Sequence, residues 1–276
     1  MRMETVALIP NIVIIGDLAY ETTIVKNKRH TCLGGSGYYA AIGAKAVQNE
    51  NFVLISSVGY DFDFSYLHNL NIPDKEINVV QSEKTARFTT IFLNNIGERE
   101  FYADFGAIGF PNYKQIEKYL EAPFIYLAGG DPTRQLCWIK KLETNEYNGI
   151  IACDVFEKYC LEKPRESQKV IEKSDIVFLN ETERRLLEYN PTAKQKVSIL
   201  KKGKQGADLF YREGNIISIF PRHGCIAVDT NGAGDILAAS FLSQIVSGYN
   251  YSSALQVAVD LASLSVTQEN VRHILK

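Results

Sequence analysis

Short unbroken apolar runs alternate with amphipathic stretches through most of the chain. The runs at 11–16, 52–58, 124–128, 150–154, 176–179, 197–201, 207–211 and 216–220 read as strands. Between them the spacing predicts helices at 37–48, 113–120, 133–143, 165–172 and 181–187, with two more at 232–247 and 252–268. This order predicts an α/β fold: a mainly parallel sheet covered by helices, with functional residues at the carboxyl ends of the strands.

Two segments break the alternation. Residues 21–33 and 84–103 read as β-hairpins, the second turning at Asn94-Asn95-Ile96-Gly97. A helix and a strand of the main domain separate them, so they are placed to meet as a small sheet, a lid over one edge drawn from about 18–33 and 84–104. Along 87–93, Phe88 and Phe92 point one way and Ile91 and Leu93 the other. Apolar residues on both faces call for a cover, either the partner lid of a homodimer or a single sheet sandwich. Arg87 reads as an exposed lid charge, with a place facing the pocket as the alternative.

Composition narrows the function classes. With 276 residues, 46% of them hydrophobic, the chain suits one large α/β domain over 1–276 with the lid as its appendage. A formal net charge of -2 gives no case for nucleic acid or an anionic membrane surface. No apolar run reaches membrane-spanning length; the stretch 6–15 is short and interrupted by Pro10 and Asn11. Five scattered cysteines without a Cys-x-x-Cys pair read as free thiols in a reducing cytosol, which makes a cytoplasmic protein the expectation. The four histidines share no ligand spacing.

The most informative chemistry lies at Asp229-Thr230-Asn231-Gly232-Ala233-Gly234-Asp235, directly before the small-residue helix that starts at Ile236. A Gly-Ala-Gly turn opening a helix presents unpaired N–H groups at the positive end of the helix dipole, which is an anion site. Asp235 places a carboxylate beside it, positioned to take a proton from a hydroxyl. Phosphoryl transfer to an alcohol needs such a pair; a tight turn with an ordinary helix-capping Asp is the plainer reading.

Four further elements share that ambiguity. Gly34-Gly35 leads into a small-residue helix carrying Tyr39, a turn that lets a ligand approach the backbone. Asp17 ends the first strand, suited either to polyol hydroxyls or to capping a turn. Asn180 and Glu183 flank a strand-to-helix junction, as a cap or as organisers of water around Mg²⁺. Lys201, Gly203 and Gly206 form a strand end and Gly-x-x-Gly turn that suits either nucleotide phosphates or a plain hairpin.

Taken in order, Gly16-Asp17, Gly34-Gly35, Asn180-x-x-Glu183, Gly203-x-x-Gly206 and 229–235 resemble the ribokinase-like (PfkB) family of small-molecule kinases over nearly the whole chain. The resemblance implies a three-layer α/β/α domain with a central mainly parallel sheet and a small β-sheet lid. It implies Asp235 as the base, with Gly232, Ala233 and Gly234 as the anion hole. It implies a Mg²⁺ shell held through water by Asn180 and Glu183, a nucleotide site at Lys201, Gly203 and Gly206, and a substrate site at Asp17, Gly34, Gly35 and Tyr39.

The expected activity is ATP-dependent, Mg²⁺-dependent phosphorylation of a hydroxyl on a sugar or sugar-like polyol. A nucleoside kinase of the same fold and a non-catalytic ligand-binding relative are the alternatives. Tyr39 stands where many sugar-kinase relatives carry asparagine, which brings cyclitols, other sugars and nucleosides into range. Lys201 stands where many members have threonine. Relatives often continue past the equivalent of 265–270 with a loop that helps bind a monovalent cation, so potassium activation is not implied here.

Overall fold

The computed structural model describes residues 9–275 except 26–27, 93–98, 193–195, 213, 222–223 and 269–270. Its first element is β1 (Ile12–Ile15), four consecutive buried aliphatic residues. β2 (Ala19–Val25) and β3 (Lys28–Gly34) form an antiparallel hairpin, followed by α1 (Ser36–Ala46) and β4 (Phe52–Gly59). A short α2 (Ser65–His68) and β5 (Ile77–Val80) lead to a second antiparallel pair, β6 (Ala86–Phe92) and β7 (Arg99–Asp104). Strands and helices then alternate: β8 (Phe124–Leu127), α3 (Pro132–Thr144), β9 (Ile150–Asp154), α4 (Glu157–Glu162), α5 (Pro164–Lys173), β10 (Ile176–Asn180), α6 (Glu181–Leu186) and β11 (Val197–Lys201). The hairpin β12 (Ala207–Tyr211) and β13 (Asn215–Ile219) precedes the long helices α7 (Ala233–Val246) and α8 (Tyr251–Ser265).

Among the described residues nine strands form the main sheet, in the order β13-β12-β11-β10-β9-β8-β1-β4-β5, parallel from β11 through to β5. Alternate residues of the central strands enter different cores. Ile12, Ile14, Leu54, Tyr126 and Phe178 pack under α1, α7 and α8, while Val13, Ile15, Ile55, Leu127 and Leu179 meet Trp138 and Ile139 of α3 and Val170 and Ile171 of α5. With both faces covered, these central strands carry no polar face, which is why they read as continuous apolar runs. Beneath the first core, α1 and α7 cross closely: a methyl group at Gly43 would stand 2.6 Å from the Ile236 carbonyl oxygen.

The lid is a separate sheet, with four strands among the described residues in the order β3-β2-β6-β7. The two hairpins meet as expected, joined by parallel pairing of β2 with β6, with Glu21 opposite Phe88 and Thr23 opposite Thr90. The expected turn at 94–97, and the side chains of Phe92 and Leu93, lie outside the described residues. Arg87 pairs with Asp61 at 2.5 Å and covers the Tyr20 ring, an exposed charge rather than a pocket residue.

Residues 113–119 depart from the α-helix expected there and form a 3₁₀ helix, capped by Asn112. Its inward residues Tyr113, Ile116 and Tyr119 recur every three positions, the period of that tighter helix. The elements β5, α2 and α4 were not expected; each is six residues or fewer, too short to establish a period.

Candidate active site

The carboxyl ends of β1, β8, β9, β10 and β11 deliver Asp17, Gly129, Asp154, Asn180 and Lys201 to one edge of the sheet. Strand order reverses between β1 and β8, the switch point where parallel sheets open a crevice. A cleft of about 420 Å³ opens there, roofed by lid residues Glu21, Thr23, Phe88 and Thr90 and walled by Gly232, Gly234 and Asp235.

The turn entering α7 has the geometry of an anion site. Gly232, the N-cap, is left-handed at φ 72°, and no side chain among the described residues caps the helix. The Ala233 N–H donates to the Thr230 carbonyl at 3.4 Å, which leaves those of Gly234 and Asp235 to an acceptor. The turn is tied down from behind: the N–H groups of Val228 and Asp229 donate to the Val266 carbonyl, and that of Asn231 donates to Asp229 Oδ1. Asp235 accepts from the Gly129 backbone. Burial, with the Asp154 charge adding to it, raises its pKa well above the usual carboxylate range, against the opposing pull of Lys201.

Deeper in the cleft, Lys201 Nζ donates to both oxygens of Asp154 at 2.8 and 2.6 Å. Next to them Asn180 and Glu183 cap α6 reciprocally: Glu183 N–H donates to Asn180 Oδ1 at 2.9 Å, and Asn180 N–H donates to Glu183 Oε2 at 2.7 Å. Burial pushes Glu183 up to about 7, with Lys201 pulling the other way.

These buried carboxyls set a pH dependence. Glu183 and Asp235 bind protons more tightly folded than unfolded, so between their unfolded and folded pKa values the native state holds more protons and stability falls as pH rises. The ligand-free protein should therefore melt about 2–6 °C lower at pH 8 than at pH 6. Glu183→Gln should shrink that difference, and equal melting temperatures in the unaltered protein would refute the assignment.

At the other end, both oxygens of Asp17 accept from Arg134 of α3 at 2.9 and 3.0 Å, and Arg134 also donates to the Ile108 carbonyl. Each oxygen keeps acceptor capacity for a substrate hydroxyl, now in a fixed orientation. Gly129 and Gly130 bridge the two ends. A methyl group at Gly129 would stand 3.9 Å from Asp235 Oδ1, and one at Gly130 3.8 Å from Asp17 Oδ2. Four rings, Phe88, Phe105, Phe156 and Tyr159, complete the wall on the Asp17 side. Lys158 lies 5.5 Å from the Phe105 ring centre and 5.9 Å from that of Tyr159.

The expected residues divide. Asp17, Gly35, Tyr39, Asn180, Glu183, Lys201, Gly232, Gly234 and Asp235 line the cleft. Ala233 occupies the first position of α7 within the same turn. The paired glycines serve a lid residue: a side chain at Gly34 would strike Glu21, and the Gly35 N–H donates to Glu21 Oε1 at 2.9 Å. The Tyr39 hydroxyl donates to Glu21 Oε2 at 2.7 Å, and its ring lies beneath Gly232. Gly203 and Gly206 turn the chain from β11 into β12 and line no part of this cleft.

Sequence reasoning missed Glu21, Gly129, Gly130, Arg134 and Asp154. The Gly-Gly pair directly after an apolar run was a readable signal. Asp154 and Arg134 gain their meaning from neighbours 47 and 117 positions away.

Comparisons with known proteins agree with this architecture. Residues 11–276 match the pfkB family carbohydrate kinase. A nucleoside kinase of Methanocaldococcus jannaschii is 27% identical over 245 residues, covering 84% of this chain and 78% of that protein. The structure of a Burkholderia thailandensis nucleoside kinase in complex with inosine superposes with a TM-score of 0.80 at 15% identity, covering 96% of this chain and 94% of that one. Arabidopsis thaliana ribokinase complexed with ribose and ATP gives a TM-score of 0.77 at 19% identity, covering 98% of this chain and 99% of that one. The chain belongs to the pfkB family of carbohydrate kinases and is a phosphotransferase that uses a hydroxyl acceptor.

Proposed function

We propose that the acceptor is a nucleoside, phosphorylated at the hydroxyl that reaches Asp235. The observation that carries this reading is the group of four rings at the Asp17 end of the cleft, Phe88, Phe105, Phe156 and Tyr159. A free sugar or cyclitol has no π-face to offer them, whereas a nucleobase does, and base–aromatic stacking is worth about 1–3 kcal/mol per base. With the base among the rings, the sugar hydroxyls fall to Asp17, oriented by Arg134, and the sugar spans Gly129 and Gly130 toward Asp235. The likeness to the nucleoside kinase of Methanocaldococcus jannaschii supports the same reading.

The donor is ATP, whose terminal phosphate meets the N–H groups of the Gly232–Asp235 turn. Asp235 takes the acceptor proton, and its raised proton affinity makes it the stronger base. The acceptor oxygen bonds to the γ-phosphorus as the bond to the bridging oxygen breaks, and the electron pair leaves with ADP. The donor set suits magnesium carried in by the nucleotide: Glu183 has one carboxylate oxygen outside its capping bond, beside Asn180. Bound there through water, the ion would neutralise phosphate charge.

A coupled assay of ADP release should show kcat/KM for a ribonucleoside such as inosine or adenosine at least about tenfold above that for ribose or an inositol, the worth of one stacked base. Phe156→Ala should erode that preference by raising the nucleoside KM. Ribose or an inositol turning over as well as every nucleoside would overturn the proposal.

A further inference from the structure

The Lys201–Asp154 pair has no evident structural purpose. Its side chains are 14% and 2% exposed, and a well-packed apolar pair would fill the same space without desolvating two charges. Lys201 and Asp154 are the last residues of β11 and β9, with Asn180 ending β10 between them. The ammonium therefore stands at the sheet edge where the cleft opens. A methyl group at Gly234 would lie 3.0 Å from Lys201 Nζ, so the charge rests directly against the turn that opens α7.

Burial opposes that charge, and the carboxylates of Asp154 and Glu183 outweigh the opposition, so the amine stays protonated. An ammonium carries three N–H donors, of which Asp154 engages two. Lys158, also lining the cleft, lies among the rings at the acceptor end.

We propose that Lys201 is a catalytic residue whose remaining N–H binds the terminal phosphoryl group of the nucleoside triphosphate during transfer, and that Asp154 is the positioning residue holding it against Gly234. This rests on the Gly232–Asp235 turn being the phosphoryl site, and not on the identity of the acceptor. Lys201 keeps all its protons throughout; the acceptor proton goes to Asp235 and the electron pair of the broken P–O bond leaves with the diphosphate. A fixed cation of this kind stabilises charge spread over the phosphoryl oxygens without reorganising.

Calorimetric titration of the magnesium complexes of ADP and of a non-hydrolysable β,γ-methylene triphosphate tests it. Lys201→Met should weaken the triphosphate relative to ADP by about 10- to 100-fold, the worth of a hydrogen bond to a charged group, with ADP affinity within about twofold. Lys201→Met combined with Asp154→Asn, which leaves no stranded buried carboxylate, should show the same shift. An unchanged ratio, or equal weakening of both ligands, overturns the proposal. A ratio restored in the double variant also overturns it, because the effect would then belong to the uncompensated charge of Asp154. Turnover of Asp235→Asn separates the premise: normal turnover there removes the base beside the turn, and with it the reason for placing the transferring phosphoryl group at that turn, whereas a slow Asp235→Asn beside an unchanged Lys201→Met ratio removes Lys201 alone.

Discussion

Asp235→Asn should lower kcat by about 10²–10⁴ while nucleotide affinity stays nearly unchanged. Asn has the same shape and keeps a carbonyl oxygen for the Gly129 N–H, so the turn should hold its form. It cannot accept the acceptor's proton. Only interactions made during transfer are lost, and they appear in kcat rather than in ground-state binding. The pH profile gives a second signature. Because burial and Asp154 raise the Asp235 pKa, the unaltered enzyme should lose kcat/KM as pH falls through a value well above the normal carboxylate range. The variant's residual rate should lack that limb. A variant turning over within about threefold of the unaltered enzyme would remove Asp235 from the role of base.

Gly232→Ala should be nearly as damaging, for a different reason. Its backbone is left-handed at φ 72°, and a methyl group there would stand 2.0 to 2.4 Å from three carbons of the Tyr39 ring. The ring cannot easily yield, because its hydroxyl is bonded to Glu21 and both lie in the wall of the cleft. The turn must move instead, and misplacing one anion-hole donor typically costs about 10²–10³ in kcat. Adding Tyr39→Ala to Gly232→Ala should recover part of that loss by opening space beneath the turn. Full activity in the single variant would show that the turn tolerates a side chain. No recovery in the double variant would show that backbone strain, rather than the ring, is responsible.

Much of the scaffold was legible because parallel strands buried on both faces leave long apolar runs, as at 124–128 and 176–179. The capping box of Asn180 and Glu183 was legible for a similar reason, since its partners are three residues apart. What could not be read is what the sheet assembles from distant strands. Asp154 was simply the end of an apolar run until the order β9-β10-β11 brought Lys201 to it. Glu21 was an acidic residue in a hairpin until the lid folded over Gly35 and Tyr39. Tyr39 shows the middle case. Its departure from asparagine was visible, but the compensation lies in tertiary space: the ring supports Gly232 from below, and a lid carboxylate takes the hydroxyl.

The parallel seam between β2 and β6 also limits how this protein can be re-engineered. The lid is stitched from two excursions of the chain, each leaving the main sheet and returning to it, so four crossings tether one small sheet. It cannot be lifted out as a cassette. Grafting a relative's lid to change acceptor preference requires exchanging 19–34 and 86–104 together, because either half alone presents an unmatched edge at the seam.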